Sequence, residues 1–455
     1  MKKVNILEGS LWRQLLQFAV PLALTGILQQ LFNASDVAVV GRFVGKDAMA
    51  AVGSAAPIVN IMVNVFVGLS VGANVVISQY LGKKSLRETH AAVHTALIIS
   101  FFSGILIWIL GWILMEPMLR FIETPEQIFP QAKVYLKWYF VGMPFMMLYN
   151  FESAIFRSVG DTKTPLIALV ISGVLNVLLN ILFIVVFKMG VAGVAVATLL
   201  AGVVSAAILF VGLRRSHQSI HLEYRRLKMD TGIFWKILKI GIPAGLQGVV
   251  FSFSNLCIQG GINSLGSDAM AGSAAGFNIE IMVYFVVNAF GQAAVTFVGQ
   301  NFGARNLKRC TQVVVQCMLL DLIFTNSLGV LLLAFGENIL GLFSTNKAVI
   351  EYGFVRMIMV IGFESLNVFI EVLSGAVRGF GKSFMPAFIC VVGICGVRLL
   401  WLYTVFESNS DFLTLMTVYP VSWASAAFAL VFCYYITKRS VFRLPKKRTV
   451  KGVPV

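Results

Sequence analysis

The feature that most constrains this chain is a succession of apolar runs, which recur from one end of the sequence to the other with only short charged segments between them. A helix needs about 20 apolar residues to cross the hydrocarbon layer of a membrane. With 58% hydrophobic and 12% charged residues, the chain has more apolar surface than a single soluble core can bury. The pattern therefore predicts an all-α integral membrane protein whose surroundings are the lipid bilayer.

The runs predict twelve transmembrane helices, and an even number places both termini on the same side. About 27 of the Lys and Arg residues fall on that side and about 7 on the other. Because cytoplasmic loops are enriched in these residues, both termini are predicted to be cytoplasmic, in the inner (plasma) membrane of a bacterial cell. The predicted spans are roughly 14–40, 50–79, 91–115, 132–156, 164–187, 190–213, 234–263, 270–299, 312–336, 349–377, 384–406 and 415–437.

Other features of the sequence argue against other classes of protein. The net charge of +16 is scattered between the spans instead of being gathered on one face, so nucleic acid is not an expected partner. The 6 cysteines lie mostly inside apolar runs, which argues against a secreted disulfide framework. The charged start resembles a signal peptide, but the apolar run that follows has no clear cleavage site and is interpreted as the first span.

An internal repeat divides the chain into two similar halves. A shift of 221 positions aligns Asp47 with Asp268, Gln79 with Gln300, and Arg157 with Arg378. Six spans per half predict two six-helix lobes related by a pseudo-two-fold axis along the membrane normal. The predicted divisions are an N-terminal lobe at 1–213, a cytoplasmic linker at 214–233, a C-terminal lobe at 234–437 and a basic cytoplasmic tail at 438–455.

Polar residues inside the first span indicate an ion or substrate site, since a charged side chain in lipid must face protein or water. Gln29, Asn33 and Asp36 lie along one stripe of that helix. The Asp36 carboxylate can hold Na⁺ among oxygen ligands, or take up a proton because burial disfavours its charged form. The alternative is that Asp36 lies near the membrane surface and only caps a helix or forms a salt bridge.

The fifth span carries a second polar stripe of Ser172, Asn176 and Asn180. Amide oxygens suit Na⁺, but asparagine side chains also hydrogen-bond between membrane helices, and both interpretations stay open. Thr198 in the sixth span is a weaker candidate, because threonine often bonds to its own helix backbone.

The second half has two acidic stripes that would attract a cationic substrate. Glu364 or Glu371 could instead neutralise Arg356 or Arg398. Because a step of four residues drifts around the helix, the members of a stripe are not expected to point at one ligand. The stripes consist of Glu280, Tyr284, Asn288 and Gln292 in the eighth span and of Glu364, Asn367 and Glu371 in the tenth; Glu152 and Asp321 are further acids inside spans.

Pro21 lies inside the first span, where its missing N–H invites a kink. We predict a hinge there, although prolines are also tolerated in membrane helices that do not move. His90 and His94 have the spacing of a metal pair but no third ligand in view, so no metal is predicted beyond Na⁺ at Asp36.

These residues resemble the multidrug and toxic compound extrusion (MATE) transporters. The resemblance rests on Pro21-Leu22 in the first span, DVAVVGR at 36–42, FRSVGDTKTP at 156–165 and QNFGA at 300–304, and it covers nearly the whole chain. It implies a V-shaped pair of six-helix lobes that exports amphipathic, often cationic compounds.

The resemblance also assigns site residues. It implies a cation site at Asp36, Asn176, Asn180 and Thr198, with Asn180 standing where some relatives carry an aspartate. Some relatives use acids of the seventh and tenth spans for Na⁺, but here the seventh span has Asn255 and Gln259, and the tenth has Asn367. Glu280 resembles an acid with a substrate or coupling role.

The predicted function is secondary active efflux of amphipathic or cationic small molecules, coupled to H⁺ or Na⁺ and without a cofactor. A monomer is expected. The nearest alternative is a flippase for a lipid-linked precursor, which would need a strongly cationic cavity. A membrane enzyme is disfavoured because no cluster of His, Asp, Glu or Cys lies at a membrane face, and a channel has no special support.

Overall fold

The computed structural model describes residues 5–216, 219–223 and 227–442, and this part of the chain is largely helical. Most helices exceed the length needed to cross a bilayer. They are α1 Leu11–Phe43, α2 Lys46–Gly82, α3 Leu86–Phe121, α4 Phe129–Val141, α5 Met143–Ser158, α6 Lys163–Val186, α7 Val191–Arg215, α8 Thr231–Ser264, α9 Ser267–Gly303, α10 Leu307–Ala334, α11 Gly336–Leu340, α12 Lys347–Ile361, α13 Glu364–Gly379, α14 Phe384–Phe406 and α15 Phe412–Phe442.

Ten of the twelve predicted spans correspond to single helices that are long and apolar enough to cross a membrane. The bent pair α12 and α13, which meet at 41°, makes an eleventh if it is counted as one span. The fourth predicted span is occupied by α4 and α5, which have 13 and 16 residues. The prediction of one continuous helix was therefore wrong for the fourth and tenth spans.

Local chemistry explains where these two spans break. Pro144 follows Gly142 closely, and a proline has no N–H for the helix ladder and disfavours helical backbone in the residue before it. Helix α13 begins at Glu364 after Gly362 and Phe363, so the break places a carboxylate in the first turn of a helix. A negative charge is stabilised there by the helix dipole.

The helices of each half pack mainly with one another, and a few helices cross between the halves. In the first half, α2 contacts α3 and α5, and α6 contacts α7; in the second half, α9 packs against α10, α12 and α13. Helix α2 also packs along α8 and α9, and α1 packs along α9. The halves are therefore joined chiefly through α1, α2, α8 and α9.

The crossing of α2 and α8 depends on four glycines. Gly68 and Gly72 of α2 face Gly241 and Gly245 of α8 so closely that a Cβ at Gly68 would overlap the backbone of Gly245. Small residues four apart allow membrane helices to approach at backbone distance.

A reciprocal pair of hydrogen bonds links the halves near the carboxyl ends of α2 and α9. Gln79 donates from Nε2 to the carbonyl oxygen of Gly379 at 2.9 Å, and Gln300 donates from Nε2 to that of Ser158 at 2.5 Å. These positions exchange under the 221-residue shift of the internal repeat. The contact therefore follows the symmetry of the two halves.

The predicted lobe boundaries stay a prediction. Helix α7 ends at Arg215 and α8 begins at Thr231, so the predicted linker at 214–233 overlaps both helix ends. Its residues 217–218 and 224–226, and residues 443–455 of the predicted tail, lie outside the described residues.

Candidate functional site

Asp36 lies in the interior of α1 and is 8% exposed. Its Oδ1 accepts a hydrogen bond from Asn180 Nδ2 at 2.6 Å, and its Oδ2 accepts one from Thr198 Oγ1 at 3.3 Å. Its position within the helix excludes a capping role, and the ion pairs found among the described residues do not include it. The carboxylate is held instead by side chains of α6 and α7.

Asn176 completes a connected group of four side chains. Its Nδ2 donates to Thr198 Oγ1 at 3.4 Å, and its Oδ1 accepts from Asn180 Nδ2 at 3.3 Å. The structure thus brings together the four residues of the expected cation site. Asn180 links α6 to α1 and Asn176 links α6 to α7, so both asparagines also make the interhelical hydrogen bonds that were considered for them.

Asn180 has one buried atom whose hydrogen-bonding capacity is unused. The residue is fully buried, and its Oδ1 has no hydrogen-bond partner in the described part of the chain. Buried acceptors in proteins are nearly always satisfied by a protein group, water or an ion. A carbonyl oxygen beside a carboxylate is the kind of ligand that Na⁺ prefers.

The local structure of α6 places these amides. Asn176 and Asn180 are four residues apart and share one face of the helix. The helix changes to a π-helical turn at Leu182–Val186, directly beyond them. Turns of this kind occur frequently at functional sites because they rotate the following residues against the regular helix.

Asp36 lies in the wall of a cavity of about 220 Å³ in the first half. Gln29 and Asn33, predicted on the same stripe, line this cavity, as does Ser172. The sequence did not single out five other polar residues in its wall. These are Asn60, Tyr139, Tyr149, Asn150 and Ser205.

Glu280 of α9 forms a buried ion pair with Arg356 of α12. Arg356 donates from Nη2 to Glu280 Oε1 at 2.5 Å and from Nε to Oε2 at 3.0 Å. The suggestion that Glu364 or Glu371 neutralises Arg356 is therefore wrong. The bend of the tenth span explains the difference, since Arg356 lies before the break and both of these glutamates lie after it.

Arg398 of α14 has no carboxylate partner among the described ion pairs. It donates from Nη1 to Asn255 Oδ1 at 2.8 Å and from Nε to Ser422 Oγ at 3.3 Å. Its guanidinium carbon lies 4.5 Å from the centroid of the Tyr419 ring. The suggested neutralisation by Glu364 or Glu371 is therefore not found for Arg398 either.

Most of the acidic stripes of the second half meet at a cavity of about 490 Å³. Glu364 accepts a hydrogen bond from Asn367 Nδ2 at 2.7 Å within its wall. Asn288 is half-buried and does not line this cavity. The lining residues from the two stripes are Glu280, Tyr284, Glu364, Asn367 and Glu371.

Asn60 of α2 lines the cavity of the first half and also the cavity of the second half. Asn64, one turn further on, donates from Nδ2 to Ser252 Oγ of α8 at 3.2 Å. Asn60 and Asn64 are four residues apart, and this spacing could have predicted a polar stripe on the second span.

Pro21, the predicted hinge, is buried within α1, which continues as one helix from Leu11 to Phe43.

Asp321 is fully buried on α10 and accepts a hydrogen bond from Thr325 Oγ1 at 3.0 Å. Glu152 is also buried, on α5.

Comparison with known proteins adds family information to this geometry. The sequence profile of the family described as MatE matches residues 21–182 and 243–404. The two matched segments begin at Pro21 and Pro243, in agreement with the internal repeat.

Two similar proteins come from Bacillus subtilis. The chain is 29% identical over 436 residues to one named probable multidrug resistance protein YoeA, with 94% of each chain covered. It is 30% identical over 400 residues to one named probable multidrug resistance protein YpnP, with 88% of this chain and 89% of the relative covered.

Among solved structures, the chain superposes on an outward-facing conformation of a multidrug resistance MATE family transporter with a TM-score of 0.90. The match covers 98% of this chain and 99% of that chain at 19% sequence identity. At this identity the likeness shows the fold, and it confirms the predicted two-lobe architecture.

Proposed function

Since the chain belongs to the MatE family of membrane transporters, we propose that it exports amphipathic, often cationic compounds in exchange for H⁺ or Na⁺. The observation that carries this proposal is the buried Asp36 carboxylate in the wall of a cavity, surrounded by the oxygen-bearing side chains of Asn176, Asn180 and Thr198. Both Bacillus relatives are named probable multidrug resistance proteins, and these names support drugs as the exported compounds.

Coupling requires that the ion and the compound prefer different states of the protein. Asp36 binds the ion from outside and releases it inside, and the compound binds when this site is empty. Ion binding neutralises a charge held between α1, α6 and α7, so it changes the electrostatic energy of their packing. This link between the site and three helices gives the ion a means to bias the conformation.

The ligand set is compatible with either ion. The carboxylate and the unsatisfied Asn180 oxygen suit Na⁺, while a buried carboxylate with a single charge also accepts a proton. The protein is proposed to lie in the bacterial plasma membrane with both termini in the cytoplasm and to act as a monomer.

The test is ethidium efflux from proteoliposomes under a Na⁺ gradient alone and then under a pH gradient alone. Efflux driven by one of these gradients establishes antiport and identifies the ion. Asp36→Asn should abolish the driven efflux and leave the protein folded. Asp47→Asn is the matched control, because Asp47 is an exposed acid in the first turn of α2, and it should keep wild-type efflux.

Full driven efflux by Asp36→Asn would overturn the assignment of the ion site. Folded wild-type protein that shows no efflux under either gradient would contradict antiport and favour a lipid flippase.

A further inference from the structure

Two arginines occupy equivalent positions of the internal repeat, next to the contacts that join the two halves. Arg157 of α5 and Arg378 of α13 align under the shift of 221 positions. The residue after each arginine is Ser158 in the first half and Gly379 in the second, and its carbonyl oxygen accepts a hydrogen bond from a glutamine of the other half. Both arginines therefore lie at the end of the molecule where the halves are in contact.

Each arginine also lies beyond a cavity of its own half. Asn150 lines the cavity of about 220 Å³, and Arg157 follows seven residues later on α5. Glu371 lines the cavity of about 490 Å³, and Arg378 follows seven residues later on α13. Seven residues are about two helical turns, or roughly 10 Å, along one face. Neither arginine lines these two cavities, so each half places a guanidinium between its cavity and the contact of the halves.

Both guanidinium groups lack a counter-charge. Within the part of the chain that the structure describes, no ion pair includes either arginine. Arg378 is 8% exposed and donates from Nη2 to the neutral Gln247 Oε1 at 2.7 Å. The Nε atoms of Arg378 and of the partly buried Arg157 are themselves buried and have no hydrogen-bond partner among the described residues. An arginine stays charged in a protein, and a charge retained in a membrane span without a partner indicates a functional role.

We propose that Arg157 and Arg378 are barriers to cations, which stop the coupling ion from leaking through the closed end of the molecule. This inference rests on the proposed function and adds the residues that keep the exchange of ion and compound tight. A fixed positive charge repels an approaching cation, and the repulsion is stronger away from bulk water. Arginines that line membrane pores exclude cations and protons in this way. Without such a barrier the ion gradient would dissipate without export.

A purely structural role for the arginines predicts a different result. The hydrogen bond from Arg378 to Gln247 joins α13 to α8, so its loss could loosen the closed end. A loosened end admits small solutes of either charge. Loss of an electrostatic barrier admits cations and does not favour anions, because the removed charge was positive. The charge selectivity of the leak therefore separates the two roles.

The experiment measures passive leak into proteoliposomes that contain the full-length protein, with no exported compound present. Valinomycin and K⁺ hold the membrane potential constant, and entrapped dyes report entry of Na⁺, H⁺ or Cl⁻ in separate runs. Arg157→Gln and Arg378→Gln should each raise the Na⁺ and H⁺ leak about tenfold and leave the Cl⁻ leak unchanged, because each removes one fixed positive charge. Arg157→Lys and Arg378→Lys keep the charge and should retain the low leak of the wild type.

Gln247→Glu removes the net charge without removing the arginine. It places a carboxylate where Arg378 already donates a hydrogen bond, so the contact between α8 and α13 is kept while the positive charge is neutralised. The cation leak should rise as it does in Arg378→Gln, and this variant decides the question if Arg378→Gln does not fold.

Lys163→Gln is the matched control. Lys163 lies at the start of α6, six residues after Arg157, and is exposed. Its charge is screened by water and salt, so its removal should leave the leak of every ion unchanged.

Equal increases of the Na⁺ and Cl⁻ leaks, or an unchanged cation leak in folded glutamine variants, would overturn the inference. Passive leak is measured without export, so its outcome is distinguishable from that of the proposed function. Gradient-driven efflux by the wild type together with tight glutamine variants leaves export standing and removes the barrier. A cation-selective leak in the variants of a protein that exports nothing supports the barrier and contradicts export.

Discussion

At the scale of single residues, the unsatisfied oxygen of Asn180 makes that position the most informative one for ion choice. Asn180→Asp places a second carboxylate beside Asp36, and an added negative oxygen ligand strengthens Na⁺ binding. We expect efflux to become more dependent on Na⁺, with the half-saturating Na⁺ concentration about tenfold lower, which is the effect of roughly 1.4 kcal/mol. The measurement is dye efflux from proteoliposomes over a range of Na⁺ concentrations at fixed pH.

Asn150→Asp is the control for this substitution. Asn150 lines the same cavity but donates from Nδ2 to the carbonyl oxygen of Met146 at 2.8 Å, outside the group around Asp36. A carboxylate there should leave the Na⁺ dependence unchanged. An unchanged Na⁺ dependence in Asn180→Asp would remove Asn180 from the set of ion ligands.

The buried ion pair between Glu280 and Arg356 contributes to stability only while both partners are present. Arg356→Met leaves a buried carboxylate without its partner, and breaking one side of a buried pair costs about 3–5 kcal/mol. Replacing both residues by apolar side chains of similar volume is often nearly neutral. We therefore expect Arg356→Met to lower the unfolding temperature and Arg356→Met with Glu280→Met to recover most of it.

Thermal unfolding in detergent for the wild type, both single variants and the double variant gives the coupling between the two residues. Additive effects of the single changes would show that the pair is not energetically coupled and that Glu280 acts independently of Arg356. In that case Glu280→Gln should weaken cationic compounds more than neutral ones.

At the scale of helices, the crossing of α2 and α8 depends on the absence of side chains. A Cβ at Gly68 would overlap the backbone of Gly245, and forcing extra atoms into a packed contact costs about 1–3 kcal/mol. Gly68→Ala should lower the unfolding temperature by several degrees and reduce efflux. Gly53→Ala is the control, because Gly53 lies in the same helix and nothing stands within 4 Å of its Cβ position.

Equal unfolding temperatures for the two glycine variants would show that the close approach of α2 and α8 does not contribute to the stability of the protein. Both variants gain helix propensity from alanine. A difference between them therefore reports the contact and not the helix.

The sequence predicts the existence of these helices well and their interruptions poorly. Apolar runs identify spans, but the bend between α12 and α13 has no proline to mark it, and its position decides that Arg356 meets Glu280. The π-helical turns near Asn180 and Arg398 likewise have no sequence signature. The group around Asp36 could be predicted from the sequence, because Asn176 and Asn180 repeat at helical spacing. The contacts of Asn60 and Tyr139 could not be predicted, because they depend on packing between distant spans.

At the scale of the whole molecule, the reciprocal contacts of Gln79 and Gln300 hold the two halves together near the ends of α2 and α9. Alternating access requires such contacts to break and reform as one half moves against the other. Gln79→Ala and Gln300→Ala should each raise the population in which this end is open, and symmetry predicts effects of similar size. The double variant should open further than either single variant.

The measurement is the rate at which a polar maleimide labels Ser78→Cys in protein that lacks its native cysteines. Ser78 is fully buried beside Gly299 of the other half, so labelling in detergent requires the halves to separate. Gln312→Ala is the control, since Gln312 is exposed on α10 and should leave the rate unchanged. A large increase for one glutamine variant and none for the other would contradict the prediction that the two contacts contribute equally to closing this end. It would assign closure of this end to a single contact, and the internal repeat would then explain the fold without explaining the motion.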